Sequence, residues 1–169
     1  SKAMAVPWAI VRIYLGWLWL SSGWGKVTDP AWVGLGAGGG VRGYLMGALE
    51  RAGGDAPTVA PWYAWMIENL FLPNAALMSN MVALGEVAVG IALILGFLTG
   101  VSTFFGGLMN ASFLFAGTLS TNPMMFILAT WLVLAWRNAG YFGLDYWVLP
   151  LLGAPRDPDS QAASRLERA

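Results

Sequence analysis

Apolar residues dominate four long stretches of the chain, at about 6–24, 77–98, 101–119 and 123–137, and polar segments separate them unevenly. A helix of ~20 residues crosses a hydrocarbon core of about 30 Å, so each stretch reads as one crossing. Three ionisable or amide side chains, Arg12, Glu86 and Asn110, fall one to each of the first three stretches. The pattern predicts an all-α integral membrane protein, a four-transmembrane-helix bundle forming a single domain over 1–153.

The first stretch opens at Pro7, which a first helical turn tolerates because its missing N–H would have had no partner. Residues 25–76 form the long connection, with a Gly-rich run, a charged patch at Glu50, Arg51 and Asp55, and prolines at 57, 61 and 73. The run GLGAGGGVRG lacks the ending of a phosphate loop and reads as flexible loop. Within this connection PWYAWMIENLFL, from Pro61 to Leu72, has the proline start and aromatic content of a short interfacial helix. Only Thr99 and Gly100 separate the second and third stretches, which makes them antiparallel neighbours. Ser120, Thr121 and Asn122 before Pro123 are a helix start, and Gly140 is a C-terminal stop. Tyr141 to Leu152 reads as interfacial, and 154–169 as a polar cytoplasmic tail.

Composition agrees with the pattern. The chain is 57% hydrophobic and 11% charged, with a mean hydropathy of +0.61, whereas a soluble domain carries about 25% charged residues. Ten tryptophans include Trp8, Trp24, Trp62, Trp65, Trp136 and Trp147 near the ends of apolar stretches, where indole favours the headgroup boundary. A net charge of +0 argues against a nucleic-acid partner. No Cys and no His occur, so the chain has no thiolate and no imidazole ligand, and no haem, iron–sulfur or metal motif. No cleavable signal peptide is evident. Lys2, Arg137, Arg156, Arg165 and Arg168 fall on one side and Lys26, Arg42 and Arg51 on the other, which predicts a multi-pass protein of the inner (plasma) membrane with both termini cytoplasmic.

Helical spacing gathers the chemistry on three faces. Arg12, Gly16, Trp19, Gly23 and Lys26 recur at intervals of four and three along the first helix, as do Gly106, Asn110, Phe113, Gly117 and Ser120 on the third. Ala83, Glu86, Gly90 and Leu93 share a face of the second. Small residues and rare polar ones belong inside a membrane bundle, so these are the expected inward faces. Counted from the cytoplasmic ends, Arg12 lies roughly 9 Å deep, Asn110 roughly 14 Å and Glu86 roughly 18 Å. An arginine side chain spans much of that difference, which allows one network. In the functional reading Glu86 is catalytic and moves a proton while Arg12 and Asn110 bind an anionic or carbonyl-bearing ligand; in the plain reading the three form a salt bridge that fixes packing.

Trp19, Trp24 and Lys26 complete the ligand-binding candidates. Against them stand interface anchoring for the tryptophans and a snorkelling lysine followed by a loop-capping Asp29. Arg137 and Asn138 end the fourth helix, where a cation complements the helix dipole.

The segments RIYLGWLWLSSGWGKVTDPAW (Arg12 to Trp32), ALGEVAVGIALILGFLT (Ala83 to Thr99), GGLMNASFLFAGTLSTNP (Gly106 to Pro123) and LAWRNAGYFGLD (Leu134 to Asp145) resemble the DoxX/DoxD family. The resemblance covers all four stretches in order. It implies a small four-helix membrane protein, and in the enzyme that gives the family its name such a subunit works with a soluble-domain subunit to pass electrons from thiosulfate to quinone. The expected function is therefore a membrane subunit of a quinone-linked oxidoreductase of the thiosulfate:quinone oxidoreductase type, with quinone as cofactor and membrane lipids and another protein subunit as partners. The alternative, favoured by the lack of His and Cys, is a non-catalytic accessory or scaffold subunit of a larger membrane electron-transfer or photosynthetic complex. A transporter is a weaker third reading, because four helices leave little room for a pathway.

Overall fold

The computed structural model describes residues 2–154; the tail expected over 154–169 lies, apart from Ala154, outside the described residues. Every regular element among them is helical: α1 (Ala5–Val27), α2 (Gly39–Glu50), α3 (Pro61–Met66), α4 (Ala75–Leu95), α5 (Thr99–Phe115), α6 (Asn122–Leu134), α7 (Trp136–Gly140) and α8 (Asp145–Leu151). A single π-helical turn, Ile67–Phe71, extends α3. By length and composition, α4 is the helix among these that qualifies to cross a membrane.

The long helices α1, α4, α5 and α6, with α7 continuing α6, pack into an antiparallel bundle, and α1 against α4 is its most extensive pairing. Glycine makes that pairing close. A Cβ on Gly16 would lie 2.9 Å from the backbone nitrogen of Ile94, one on Gly23 2.7 Å from that of Val87, and one on Gly90 2.5 Å from that of Leu20. Backbones this near gain dispersion contacts that any larger side chain would prevent. Leu15, Trp19, Val89, Leu93, Met125 and Leu132 fill the bundle core.

The expected helices at 6–24, 77–98, 101–119 and 123–137 are present with shifted ends. The second ends early because Gly96 adopts φ 66°, and its amide and that of Phe97 cap the carbonyls of Leu93 and Ala92. The third starts early because the Asp145 carboxylate accepts hydrogen bonds from the amides of Leu98 (2.5 Å) and Thr99 (2.8 Å). Leu98 itself sits in the left-handed region at φ 45°, a strained conformation that the borrowed cap holds in place.

The connection at 25–76 differs most from its sequence reading. The Gly-rich run ends in a twelve-residue helix, α2, because Val41, Leu45 and Ala48 recur on one face and bury against Val59, Tyr63 and Ile67. Ala75 of α4 and Ala116 after α5 complete this second cluster, so α2 and α3 form a cap over one end of the bundle. The interfacial helix expected over 61–72 is present as α3 plus its π turn.

Candidate functional site

Arg12, Glu86 and Asn110 are all fully buried, at 1%, 0% and 0% exposure. They do not form one network. Each takes its own partner, because fourteen residues of α1 separate Arg12 from the lysine that Glu86 selects, about 21 Å along the axis.

At the uncapped end of the bundle, Arg12 Nη2 donates to the carbonyl of Phe142 at 3.1 Å. Gly96 and Gly143 leave the space that the guanidinium fills, since a Cβ on either would run into its Nη1. Asp145 is close enough to act on the Arg12 charge while its two oxygens hold the start of α5. This cluster ties α8 to the α4–α5 hairpin. Asp145, 1% exposed, was not among the sequence candidates. The signal was there in a lone carboxylate inside the apolar run YFGLDYWVL.

Toward the cap, Lys26 Nζ donates to Glu86 Oε2 at 2.8 Å and to Ser22 Oγ at 2.8 Å. It also stands 5.3 Å from the centre of the Trp32 ring, within cation–π range. Lys26 is therefore bound to the interior carboxylate rather than snorkelling freely. A buried carboxylate is tolerated only with such compensation. Asp29 has the loop role expected of it, accepting from the Ala31 amide at 2.9 Å.

Asn110 Nδ2 donates to Asn122 Oδ1 at 3.0 Å, and Asn122 Nδ2 donates to the Thr118 carbonyl at 3.4 Å. That backbone carbonyl fixes the orientation of both amides, leaving Asn110 with its carbonyl oxygen free. Asn122 is a second residue that sequence spacing did not single out, because its partner lies across a helix connection.

Glu86 and Asn110 occupy the same level of the bundle. Gly85 faces Met109 Sδ and Gly106 faces Val89, which sets the register of α4 against α5. Trp19 lies about one turn away on α1: a Cβ on Gly106, four residues before Asn110, would lie 3.0 Å from its Nε1, and its ring packs 6.5 Å from that of Phe113. Trp24, by contrast, is 63% exposed on the outer face of α1. Three buried polar atoms at or within about a turn of this level have no hydrogen-bond partner, namely Glu86 Oε1, Asn110 Oδ1 and Trp19 Nε1. Unpaired buried polar atoms are rare and costly, about 1–3 kcal/mol each, which makes these three, like Arg12 Nε and Nη1 and Thr99 Oγ1, the candidates for interaction with a further group. Chemically, the layer offers two acceptors and one donor, with a carboxylate able to take a proton while Lys26 holds its other oxygen.

An outward-facing groove of about 320 Å³ runs between α5 and α6, lined by Thr103, Phe104, Gly107, Leu108 and Phe126 among others. None of the site residues borders it. Among the described residues no group of three or more His, Cys, Asp or Glu side chains could hold a metal ion. Searches against family models, curated proteins and solved structures match nothing.

Proposed function

We propose that this chain is a multi-pass membrane protein whose four-helix bundle handles a quinone headgroup at the Glu86 layer, as the membrane subunit of a quinone-linked oxidoreductase. The membrane reading draws on the inverted distribution of polarity. Ile10, Trp17, Leu84, Phe104, Ile127 and Trp131, from all four long helices, are exposed by 49–64%. Beside its apolar core, the bundle interior holds Arg12, Ser79, Glu86, Thr99, Thr103 and Asn110. In water so much exposed apolar surface would drive association; in lipid it is the favoured exterior. With the charge asymmetry of the sequence, both termini lie on the cytoplasmic side and the α2–α3 cap outside. The absence of native cysteine makes this directly measurable. Single cysteines at Gly53 and Leu152 should react with an impermeant maleimide from opposite sides of the membrane, and labelling of both from one side contradicts the topology.

The observation that supports the site is the set of unpartnered buried atoms on the Glu86–Lys26 pair and on Asn110 and Trp19, within about a turn of it. They fit a quinone headgroup, whose oxygens accept or donate hydrogen bonds according to redox state. Trp19, Glu86 and Asn110 would hold it, and the group would supply two-electron chemistry that the side chains lack. Glu86 would exchange protons at its free Oε1, with Lys26 stabilising the charged form and the bundle excluding water. The resemblance to the DoxX/DoxD family supports the same reaction class, with thiosulfate as the donor of the thiosulfate:quinone type. The expected result is that Glu86→Gln abolishes quinone-dependent turnover in reconstituted membranes while the variant elutes and melts as a folded protein. Full activity in that variant removes the proton role.

The accessory-subunit reading keeps one specific observation in its favour. Arg12, Glu86 and Asn110 each already hold a partner within the chain, as packing devices would. In that reading Glu86→Gln alters assembly of the larger complex and leaves its turnover per assembled unit intact.

A further inference from the structure

The groove between α5 and α6 lies apart from the buried polar residues, and its chemistry, length and position define an occupant of its own. This inference rests on the membrane reading above and is independent of the quinone site. Small residues make the hollow: a Cβ on Gly107 of α5 would lie 3.5 Å from the Cβ of Ala129 on α6. Phe104, Leu108 and Phe126 stand at its sides, enclosing about 320 Å³. The two hydroxyls in the lining are already directed inward along their own helices. Thr103 Oγ1 donates to the Thr99 carbonyl at 2.5 Å and Thr130 Oγ1 to the Phe126 carbonyl at 2.8 Å. With no donor to offer, the groove suits hydrocarbon.

The lining runs from Thr103 to Ala111 on α5 and from Phe126 to Leu134 on α6, ~12 Å along either axis. That is far short of a hydrocarbon core of about 30 Å and close to the ~15 Å of one leaflet. A transmembrane helix would need a track along the whole bundle, whereas one acyl chain needs a single leaflet. The groove starts one turn into α5 from the uncapped end, which the topology above places in the cytoplasmic leaflet. About one turn further toward that surface stand Trp136 and Arg137. The Trp136 ring packs on Gly100, where a Cβ would lie 3.2 Å from its Cγ, and the Arg137 guanidinium sits 5.1 Å from the centre of that ring. The tryptophan thus fixes a cation at headgroup level at the mouth of the groove. Among the described residues the carboxylate at this end, Asp145, is buried, acts on Arg12 and accepts from the amides of Leu98 and Thr99, so it does not confront an anion at the surface. We propose that the groove seats one acyl chain of an anionic phospholipid of the cytoplasmic leaflet, with the lipid phosphate at Arg137. The guanidinium fork matches phosphate oxygens, and one basic side chain at an anionic surface favours the charged lipid by about fivefold.

The test is photo-crosslinking of the full chain in nanodiscs to phosphatidylglycerol or phosphatidylcholine carrying a diazirine midway along one acyl chain, with the labelled residues mapped by mass spectrometry and unlabelled lipid as competitor. The expected result is label concentrated on the groove segments 103–111 and 126–134, with phosphatidylglycerol preferred by about fivefold. Arg137→Gln should level the two lipids and leave the label in the groove, and Arg137→Lys should restore most of the preference. Gly107→Leu, whose side chain grows into the groove, should displace both lipids from it. If that variant does not fold, the Arg137 pair decides. Equal labelling by both lipids in the wild type, a preference unchanged in Arg137→Gln, or label spread evenly over the outer faces of α1, α4, α5 and α6 overturns the inference and leaves the membrane reading standing. A dimer whose groove is shielded from both lipids overturns it in favour of a second copy of the chain. A chain that stays folded and monomeric in buffer without detergent ends the membrane reading as well.

Discussion

The cap and the bundle treat buried polar atoms in opposite ways. In the cap, the Tyr63 hydroxyl donates to the Ser112 carbonyl at 2.8 Å, Thr118 donates to Tyr44, and Arg51 spreads Nε and Nη2 over the Ala116 carbonyl at 3.3 and 3.0 Å. Each of these bonds ties α2, α3 or the residue after α2 to the last turn of α5 or the residues just beyond it, and the arginine sits where a cation suits the helix dipole. In the bundle, by contrast, Arg12, Trp19, Glu86, Thr99 and Asn110 all carry buried atoms without partners, and among the described residues every such atom lies there. The cap uses its polar groups to hold the fold, whereas the bundle keeps several in reserve. Reserved hydrogen-bonding capacity in a dry interior is costly, and a ligand that met it would recover that cost.

The sharpest way to break the comparison is to separate the helices that enclose the reserve. Gly90→Leu places a side chain where Leu20 backbone already lies 2.5 Å from the would-be Cβ. Overpacking against backbone should destabilise by about 3 kcal/mol or more and leave little folded protein after detergent extraction. Normal yield and melting temperature would show that α1 and α4 do not approach as described.

Deleting one hydrogen bond in each region gives a finer contrast. Tyr63→Phe removes one of the two hydrogen bonds that the Ser112 carbonyl accepts, the other coming from the Ala116 amide, and should cost about 1 kcal/mol. Asn110→Leu removes an orphan acceptor along with its bond, so the two effects offset and stability should change by less than about 1 kcal/mol while binding is lost. The tyrosine also gives the cap a pH signature. Burial pushes the Tyr63 phenol up to about 12, above the ordinary value near 10. Its contribution is fully present below pH ~10 and is lost as pH rises through about 12, because the unfolded state ionises first. Thermal melts in that window should fall more steeply for the wild type than for Tyr63→Phe; parallel curves would place the hydroxyl in water.

Much of this was legible in the sequence, for reasons that differ by element. The inward faces of α1 and α4 could be read because a 3.6-residue period and isolated polar residues point the same way. Arg12, Gly16, Trp19 and Gly23 are buried, as are Ala83, Glu86, Gly90 and Leu93. The α5 face held only over Gly106 and Asn110; Phe113 and Gly117 are half-buried and Ser120 is exposed. α2 was hidden by its glycines, although Val41, Leu45 and Ala48 carried a helical period. Partner choice was not legible. Depth counting placed Arg12 within reach of Glu86, but Lys26 sits closer to that carboxylate, and Asp145 reaches the Arg12 end from 133 positions away in the chain. Such pairings depend on how helices meet, which a pattern along one helix does not encode.

The central claim is that the reserve around Glu86 is a binding site. Purification of the full chain from native membranes in mild detergent, followed by mass spectrometry of extracted quinones, tests it most directly. The account predicts quinone in near-equal amount to the wild-type protein and its loss from Glu86→Gln at unchanged folding. Wild-type protein recovered folded and free of quinone, or a Glu86→Gln variant that retains a full complement, would contradict it.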